Sequence, residues 1–198
     1  MKWIEIICLA KSRKMQGYCI AGKRVQSNIW IRPISPRETE EISEIECRLN
    51  TGKEIEILDI VKVPLTKHKP NKFQTENYLI DNVYNWQYIG KFNYENLEKI
   101  CDFPENLWLI DDCLDCSSSY GINDRIPENI VDSFDKSLYL ITPDCLKIFI
   151  KTEYDKKRLR AAFCYNGTNY ILSITDVFLE QYLLNRDESI YEIKKPKN

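Results

Sequence analysis

Residues 6 to 37 carry seven basic side chains, Lys11, Arg13, Lys14, Lys23, Arg24, Arg32 and Arg37, and no Asp or Glu. The chain as a whole has formal charge −2, so the other 166 residues together carry −9. A locally cationic segment on an acidic chain, holding Tyr18 and Trp30 as well, has the side chains needed to pair phosphates and stack bases. Strand residues two apart share a face, so Trp30 and Arg32 are expected to point the same way, with Lys11, Arg13 and Lys14 in an adjoining loop. Lys11, Arg13, Lys14, Trp30 and Arg32 are therefore the candidate nucleic-acid contacts, the cations for phosphate and Trp30 for stacking. The competing reading is a solvated charged face with Trp30 in the core and Arg32 capping a carboxylate. A second basic cluster, Lys147, Lys151, Lys156, Lys157, Arg158 and Arg160, is interrupted by Glu153 and Asp155. By itself it reads as a solvated hairpin.

Other chemistries find less support. The one histidine, His68, lies among lysines, and no Gly-x-Ser-x-Gly elbow accompanies it, so a hydrolytic triad has little to rest on. Cys113 and Cys116 form the chain's one Cys-x-x-Cys, half of a zinc knuckle, without a second pair. They are weak metal candidates, and no metal is expected. The eight cysteines lie partly in apolar runs and are expected to be reduced thiols. Glu105, Asp111, Asp112, Asp115 and Asp124 cluster in a linker-like region. Such carboxylates can hold a divalent cation, but their spacing matches no nuclease motif, and a structural role pinning a loop through an Arg–carboxylate pair is preferred. No Walker A or Gly-x-Gly-x-x-Gly sequence is present, and no cofactor is expected.

The elements that would position these residues are short. Residues 3 to 10, 18 to 24 and 28 to 34 read as strands, and 38 to 48, with Ile42, Ile45 and Leu49 at helical spacing, as a short surface helix. EIEILDIVKVPL, residues 54 to 65, is among the clearest strand signals. Asn93 to Cys101 reads as a short helix capped by Asn93. Residues 105 to 112 are expected as a strand, followed by a loop over 117 to 125. SLYLITP, CLKIFIKTE, RLRAAFCY and NYILSITD supply four more strand candidates. Asn166–Gly167 suits a type I′ hairpin turn, and Val177 to Leu184 a short helix. The tail from Ile190 is expected to fray. Strands do not alternate with long helices, which argues against a doubly wound parallel sheet. The expected fold is mainly β with a few short helices, as two small OB-like β-barrels in tandem. The expected domains are an N-terminal one with a helical insertion, residues 1–116, and a C-terminal one, residues 117–198.

The run IICLAKSRKMQGYCIAG, then WIRPIS, QTEN at 74 to 77, NDRI at 123 to 126 and YNGTNYILSITD at 165 to 176 resemble the dual OB domain proteins of bacteria and archaea, in order and over most of the chain. The resemblance implies two OB barrels in one polypeptide and nucleic-acid or nucleotide binding. Its polar signatures fall on Gln74, Thr75, Glu76 and Asn77, on Asn123, Asp124 and Arg125, and on Asp176 at the close of the last strand. We read these as structural polar motifs. Tyr18 departs from the small or basic residue expected in its place.

The combined expectation is a cytoplasmic protein, non-catalytic rather than enzymatic, that binds single-stranded DNA or RNA. A protein-interaction module docking a partner through Tyr84, Trp86 and Tyr88 is the alternative, favoured by the acidic balance. A metal-dependent enzyme acting on nucleotides through the 105 to 124 carboxylates is the second. No apolar run is long enough to cross a membrane as a helix, and no membrane partner is expected.

Overall fold

The computed structural model describes residues 1–108, 115–186 and 189–193. The chain forms two compact units, Met1–Cys101 with Asp135–Leu140, and Asp102–Phe134 with Ile141–Asn198.

The first unit is built from β1 (Lys2–Lys14), β2 (Gly17–Arg24), β3 (Trp30–Ile34), β4 (Asp59–His68), β5 (Asn77–Ile80) and β6 (Gln87–Lys91). Strand order β1-β2-β3-β5-β4 closes through a β1–β4 pairing, so five strands form a barrel, while β6 extends the sheet from β4. All pairings are antiparallel except β3 with β5. A 13-residue strand makes the closure possible. β1 pairs β4 through Lys2–Ile7 and β2 through Ile6–Lys14, with a shift in register between Cys8 and Ala10 that leaves Leu9 as a bulge. The bulge bends the strand so that its two halves serve two neighbours. Side chains two apart then point inward together. Ile6 and Cys8 on β1 and Val61, Val63 and Leu65 on β4 join Ile20, Ile31, Ile80 and Trp86 in one buried cluster.

The expected helix over 38 to 48 is not formed. The segment runs as turns, and Ile45 is exposed while Ile42 and Leu49 are buried. Ile42 bridges to Tyr18 and Leu49 to Trp86, so both are drawn into the barrel as single β-bridges rather than onto one helix face. Glu46 holds the turns. Its carboxylate accepts from the Ser43 amide (2.8 Å), the Ser43 hydroxyl (2.7 Å) and the Ser35 hydroxyl (2.7 Å). Burial pushes its carboxyl up, but these hydrogen bonds and Arg37 outweigh burial and hold it below the usual range. The strand expected from residue 54 starts at Asp59, because Leu58 sits at positive φ (69°). The aromatic run after Phe73 divides into β5 and β6. Asn93 caps a 3₁₀ turn over Tyr94–Ile100, its side chain accepting from the Glu95 amide, as its sequence implies.

The second unit holds α1 (Glu128–Val131), β7 (Cys145–Glu153), β8 (Lys156–Tyr165), β9 (Thr168–Ile174), α2 (Val177–Leu183) and β10 (Ile190–Ile193). The strands make an antiparallel sheet of order β10-β7-β8-β9. Its core is Ile148, Ile150, Leu159 and Leu183, with Ile174, Leu179 and Leu184 packed against it. Asn166 (φ 47°) and Gly167 (φ 79°) form the turn between β8 and β9, both in the left-handed region that a type I′ turn requires. Ser137–Pro143, expected as a strand, is irregular. Glu105–Trp108 is irregular, and the rest of that expected strand, 109 to 112, lies outside the described residues. The Tyr165 hydroxyl and Asn166 Nδ2 donate to the carbonyls of Pro104 (2.8 Å) and Glu105 (3.0 Å), which ties the segment after Cys101 to the second unit. The tail does not fray at Ile190, because β10 pairs with β7 up to Ile193. Residues 194–198 lie outside the described residues.

Candidate nucleic-acid interface

A small cleft of about 110 Å³ opens on the first barrel, lined by residues that include Lys14, Tyr18, Arg32, Ile34, Glu40 and Gln74. Four separate pieces of chain supply them. Lys14 and Tyr18 flank the two-residue turn from β1 to β2, where Met15 takes φ 52°. Arg32 and Ile34 come from β3, Gln74 from the loop joining β4 to β5, and Glu40 from the turns after β3. The face of the second and third strands, bounded by the first hairpin loop and the β4–β5 loop, is where OB barrels take up oligonucleotides and oligosaccharides.

Beneath the cleft the polar groups serve the fold. Arg32 is only 8% exposed. Its Nη2 lies 2.8 Å from Glu76 Oε1 and donates to Ser137 Oγ at 2.7 Å. Ser137 Oγ in turn donates to Glu76 Oε1, and the Arg32 amide donates to the Glu76 carbonyl at 2.8 Å. Of the two readings of Arg32, the carboxylate-paired one describes this geometry, and the exposed phosphate contact is corrected. β3 and β5 run parallel with Arg32 opposite Asn77, which brings the residue before Asn77 into reach. Among the described residues Arg32 Nε, which is buried, has no hydrogen-bond partner. Asn77, fully buried, donates from Nδ2 to Gln74 Oε1 at 3.2 Å and so orients the amide at the cleft edge.

The other candidates divide. Lys14 is exposed at the cleft, and Arg13 is exposed beside it on the end of β1. Lys11 is held lower down, paired to Glu54 at 2.9 Å, with its ammonium 4.5 Å from the centre of the Tyr18 ring. Trp30 is half-buried, with the buried Lys23 ammonium 5.4 Å from its ring centre, and does not line the cleft. The structure therefore brings Lys14, Arg32 and Gln74 together, one from each of the runs IICLAKSRKMQGYCIAG, WIRPIS and QTEN, and leaves Trp30 apart. Tyr18, Glu40 and Ser137 are not singled out as contacts by the sequence. Tyr18 stands opposite Arg13 across the hairpin, which is a readable signal. Ser137 lies 105 residues from Arg32 and carries none.

A larger cleft, about 400 Å³, is lined by Lys53, Glu54, Glu56, Asp59, Tyr88 and Lys91 among others. Lys91 bridges Glu56 and Asp59, both at 3.0 Å, and with Lys53 and Glu54 the lining carries two cations against three carboxylates, so this cleft has no positive excess to attract a phosphate. His68 Nε2 lies 2.6 Å from the Thr75 carbonyl, and its ring packs 4.6 Å from that of Tyr78. Trp86 is fully buried in the barrel core, which corrects its place in the aromatic docking surface. Tyr84 and Tyr88 are exposed.

In the second unit the Asn123–Asp124–Arg125 signature folds its own loop. Asp124 accepts from the Ser118 amide (2.8 Å) and hydroxyl (2.6 Å) and lies 3.7 Å from Arg160 Nη1. Asn123 donates to the Asn169 carbonyl at 2.9 Å, and Arg125 Nε to the Asp115 carbonyl at 2.8 Å. Asp176, expected to close the last strand, instead caps α2 by accepting from the Leu179 amide at 2.8 Å. Arg160 makes two hydrogen bonds to Glu153, both at 2.9 Å, on the paired strands β7 and β8. The Arg160 bond holds the Glu153 carboxyl below the usual range against burial. A carboxyl depressed on folding stabilises the folded state above its unfolded pKa, about 4.3, and loses that contribution as the pH falls through the lower folded value. The second unit is accordingly expected to weaken below about pH 4, and Glu153→Gln to be less stable at pH 7 with a flatter acid limb, read by thermal melts across pH.

Six cysteines, Cys8, Cys19, Cys47, Cys101, Cys145 and Cys164, are free thiols as expected. Burial pushes Cys8 up to about 12 and Cys47 up to about 11, so neither is a reactive thiolate. Cys116 departs from the expectation, being buried and disulfide-bonded, and a sulfur so engaged is no thiolate ligand. Cys113 lies outside the described residues, as do Asp111 and Asp112. Among the described residues no three His, Cys, Asp or Glu side chains are grouped to hold a metal ion, and no helix is long and apolar enough to cross a membrane.

Comparison with curated proteins and with solved structures finds no match. A family model described as dual OB-containing domain matches residues 4–196. Given a closed five-strand barrel, a second β-sheet unit and that match over nearly the whole length, the chain belongs to the dual OB-containing domain family.

Proposed function

We propose that this is a non-catalytic, cytoplasmic protein that binds single-stranded nucleic acid on the β2–β3 face of its first barrel. The observation that carries the reading is the cleft of Lys14, Tyr18, Arg32 and Gln74, bounded by both loops that flank this face. Lys14 supplies a phosphate-pairing cation at its mouth, and Arg13 is exposed on the same hairpin opposite Tyr18. Tyr18 supplies a ring on which a base stacks, with the Lys11 ammonium on it. Arg32 acts from below, fixing β3 against the Glu76 side of the β4–β5 loop. The family as a whole points to nucleic-acid or protein binding, and the cation-and-aromatic content of this face favours the former.

Fluorescence anisotropy with labelled single-stranded oligonucleotides at two salt concentrations tests the reading. Lys14→Ala is expected to weaken binding and to reduce the slope of log affinity against log salt by about 0.7 for each phosphate that the side chain neutralises. Tyr18→Leu is expected to lose about 1–3 kcal/mol of stacking with little change in slope. An unchanged affinity in both variants would sink it.

A second reading, docking of a partner protein, rests on the surface at and before edge strand β6, where Val83, Tyr84, Tyr88 and Ile89 are exposed. A stable co-purifying protein, released by Tyr88→Ala, together with no oligonucleotide binding, is the outcome that favours it.

A further inference from the structure

β7 and β8 pair in register from Cys145 opposite Cys164 to Glu153 opposite Lys156. Both cysteines are free, Cys145 exposed and Cys164 half-buried. Residues directly opposite on antiparallel strands put their side chains on the same face, with Cα atoms about 4.5–5.5 Å apart and Cβ atoms at a similar spacing. A disulfide spans Cα separations of about 4.4–6.8 Å and Cβ separations of about 3.5–4.5 Å, so the two sulfurs meet after side-chain rotation and a small approach of the strands. The other free thiols are placed differently. Cys8 and Cys47 are sealed in the first barrel core, Cys19 stands opposite Ser12 across the β1–β2 ladder, and the Cys101 thiol donates to the Leu97 carbonyl at 3.4 Å.

We propose that Cys145 and Cys164 form a cross-strand dithiol that a hydroperoxide converts to a disulfide. One thiolate attacks the peroxide oxygen, giving a sulfenic acid and water or an alcohol. The second thiol displaces the sulfenic hydroxyl as water and forms the S–S bond. Two thiols and one hydroperoxide thus give one disulfide, one water and one alcohol, or two waters when the oxidant is hydrogen peroxide. The bond closes β7 to β8 at the end opposite the Tyr154–Asp155 turn. There Asp144 already donates its amide to the Cys164 carbonyl (2.8 Å), and the neighbouring Tyr165 is anchored to Pro104. Oxidation therefore staples the end of the sheet that holds the segment after Cys101.

The test is native full-length protein treated with hydrogen peroxide, quenched by alkylation, digested without reduction and read by mass spectrometry. The expected product is a peptide containing Cys145 linked to one containing Cys164, lighter than their sum by two hydrogens and separated by dithiothreitol. Cys145→Ser and Cys164→Ser should each lose the linked species completely and leave the remaining cysteine as a sulfenic acid that dimedone traps. The wild-type digest decides the matter even if either variant folds poorly. Oxidation of the two cysteines to separate sulfinic acids, or their appearance only in links to other cysteines or to a second chain, would overturn the proposal.

Discussion

Arg32→Ala is expected to destabilise the first barrel by about 3–5 kcal/mol. The substitution removes the cation facing Glu76, whose side chain is 6% exposed, and leaves a carboxylate without its charge partner in the wall of the barrel. It also deprives Ser137 Oγ of its donor, so three residues far apart in sequence lose their common centre. Most of the cost comes from burying an uncompensated charge. The double substitution Arg32→Met, Glu76→Leu, which removes both charges and keeps the volume, is therefore expected to cost far less than either single change. Urea unfolding followed by near-ultraviolet circular dichroism gives the comparison. A single variant within 1 kcal/mol or so of wild type would mean that water reaches Glu76 and that the pair is not a buried one.

The second large effect is expected at Gly22. A Cβ there would lie 2.1 Å from the Ile7 carbonyl oxygen and 2.9 Å from its carbon, both backbone atoms of the neighbouring strand. Glycine is needed for close approach and not for its backbone angles. Gly22 stands opposite Cys8, immediately before the bulge at Leu9, where β1 turns from pairing β4 to pairing β2. Overpacking a core costs about 1–3 kcal/mol when side chains can yield. Here the obstacle is a carbonyl tied into the ladder, so Gly22→Ala is expected at or above the top of that range, with loss of amide protection in β1 and β2. Hydrogen exchange on the two strands measures it. Gly90→Ala, where nothing lies within 4 Å of the added carbon, is the control and is expected to be close to neutral.

The ladders are the most legible part of this chain. The alternation Val61, Val63, Leu65 marks an inward face because only one side of β4 meets the core. Asn166–Gly167 marks its turn because both residues tolerate positive φ. The Asn93 cap is legible because it satisfies a backbone donor within its own segment. Ile42, Ile45 and Leu49 mislead for the opposite reason. Their spacing fits a helix, but Ile42 and Leu49 are claimed one at a time by Tyr18 and Trp86, partners that no local pattern reveals. The candidate site divides along the same line. Lys14 and Gln74 are legible as polar members of exposed signatures, and both reach the cleft. Arg32 is legible as a functional cation but not as a buried one, because its burial depends on Glu76 and Ser137 arriving from elsewhere. Trp30, expected as a base-stacking ring, sits against Lys23, a cation that the charge pattern alone places on the surface.

Asp135–Leu140 belongs to the first unit although 33 residues of the second precede it, Asp102 to Phe134. During synthesis the ribosome therefore completes every strand of the first barrel before it supplies the hydroxyl that bridges Arg32 and Glu76. At about 5–20 residues per second, the 36 residues from Cys101 to Ser137 take about 2–7 s to make. For that interval the nascent barrel carries an ion pair short of the two hydrogen bonds that Ser137 makes, with the Thr75 hydroxyl also waiting for the Asp135 carbonyl. A nascent chain stalled after Cys101 should accordingly be more open to protease at the β4–β5 loop than one stalled after Leu140.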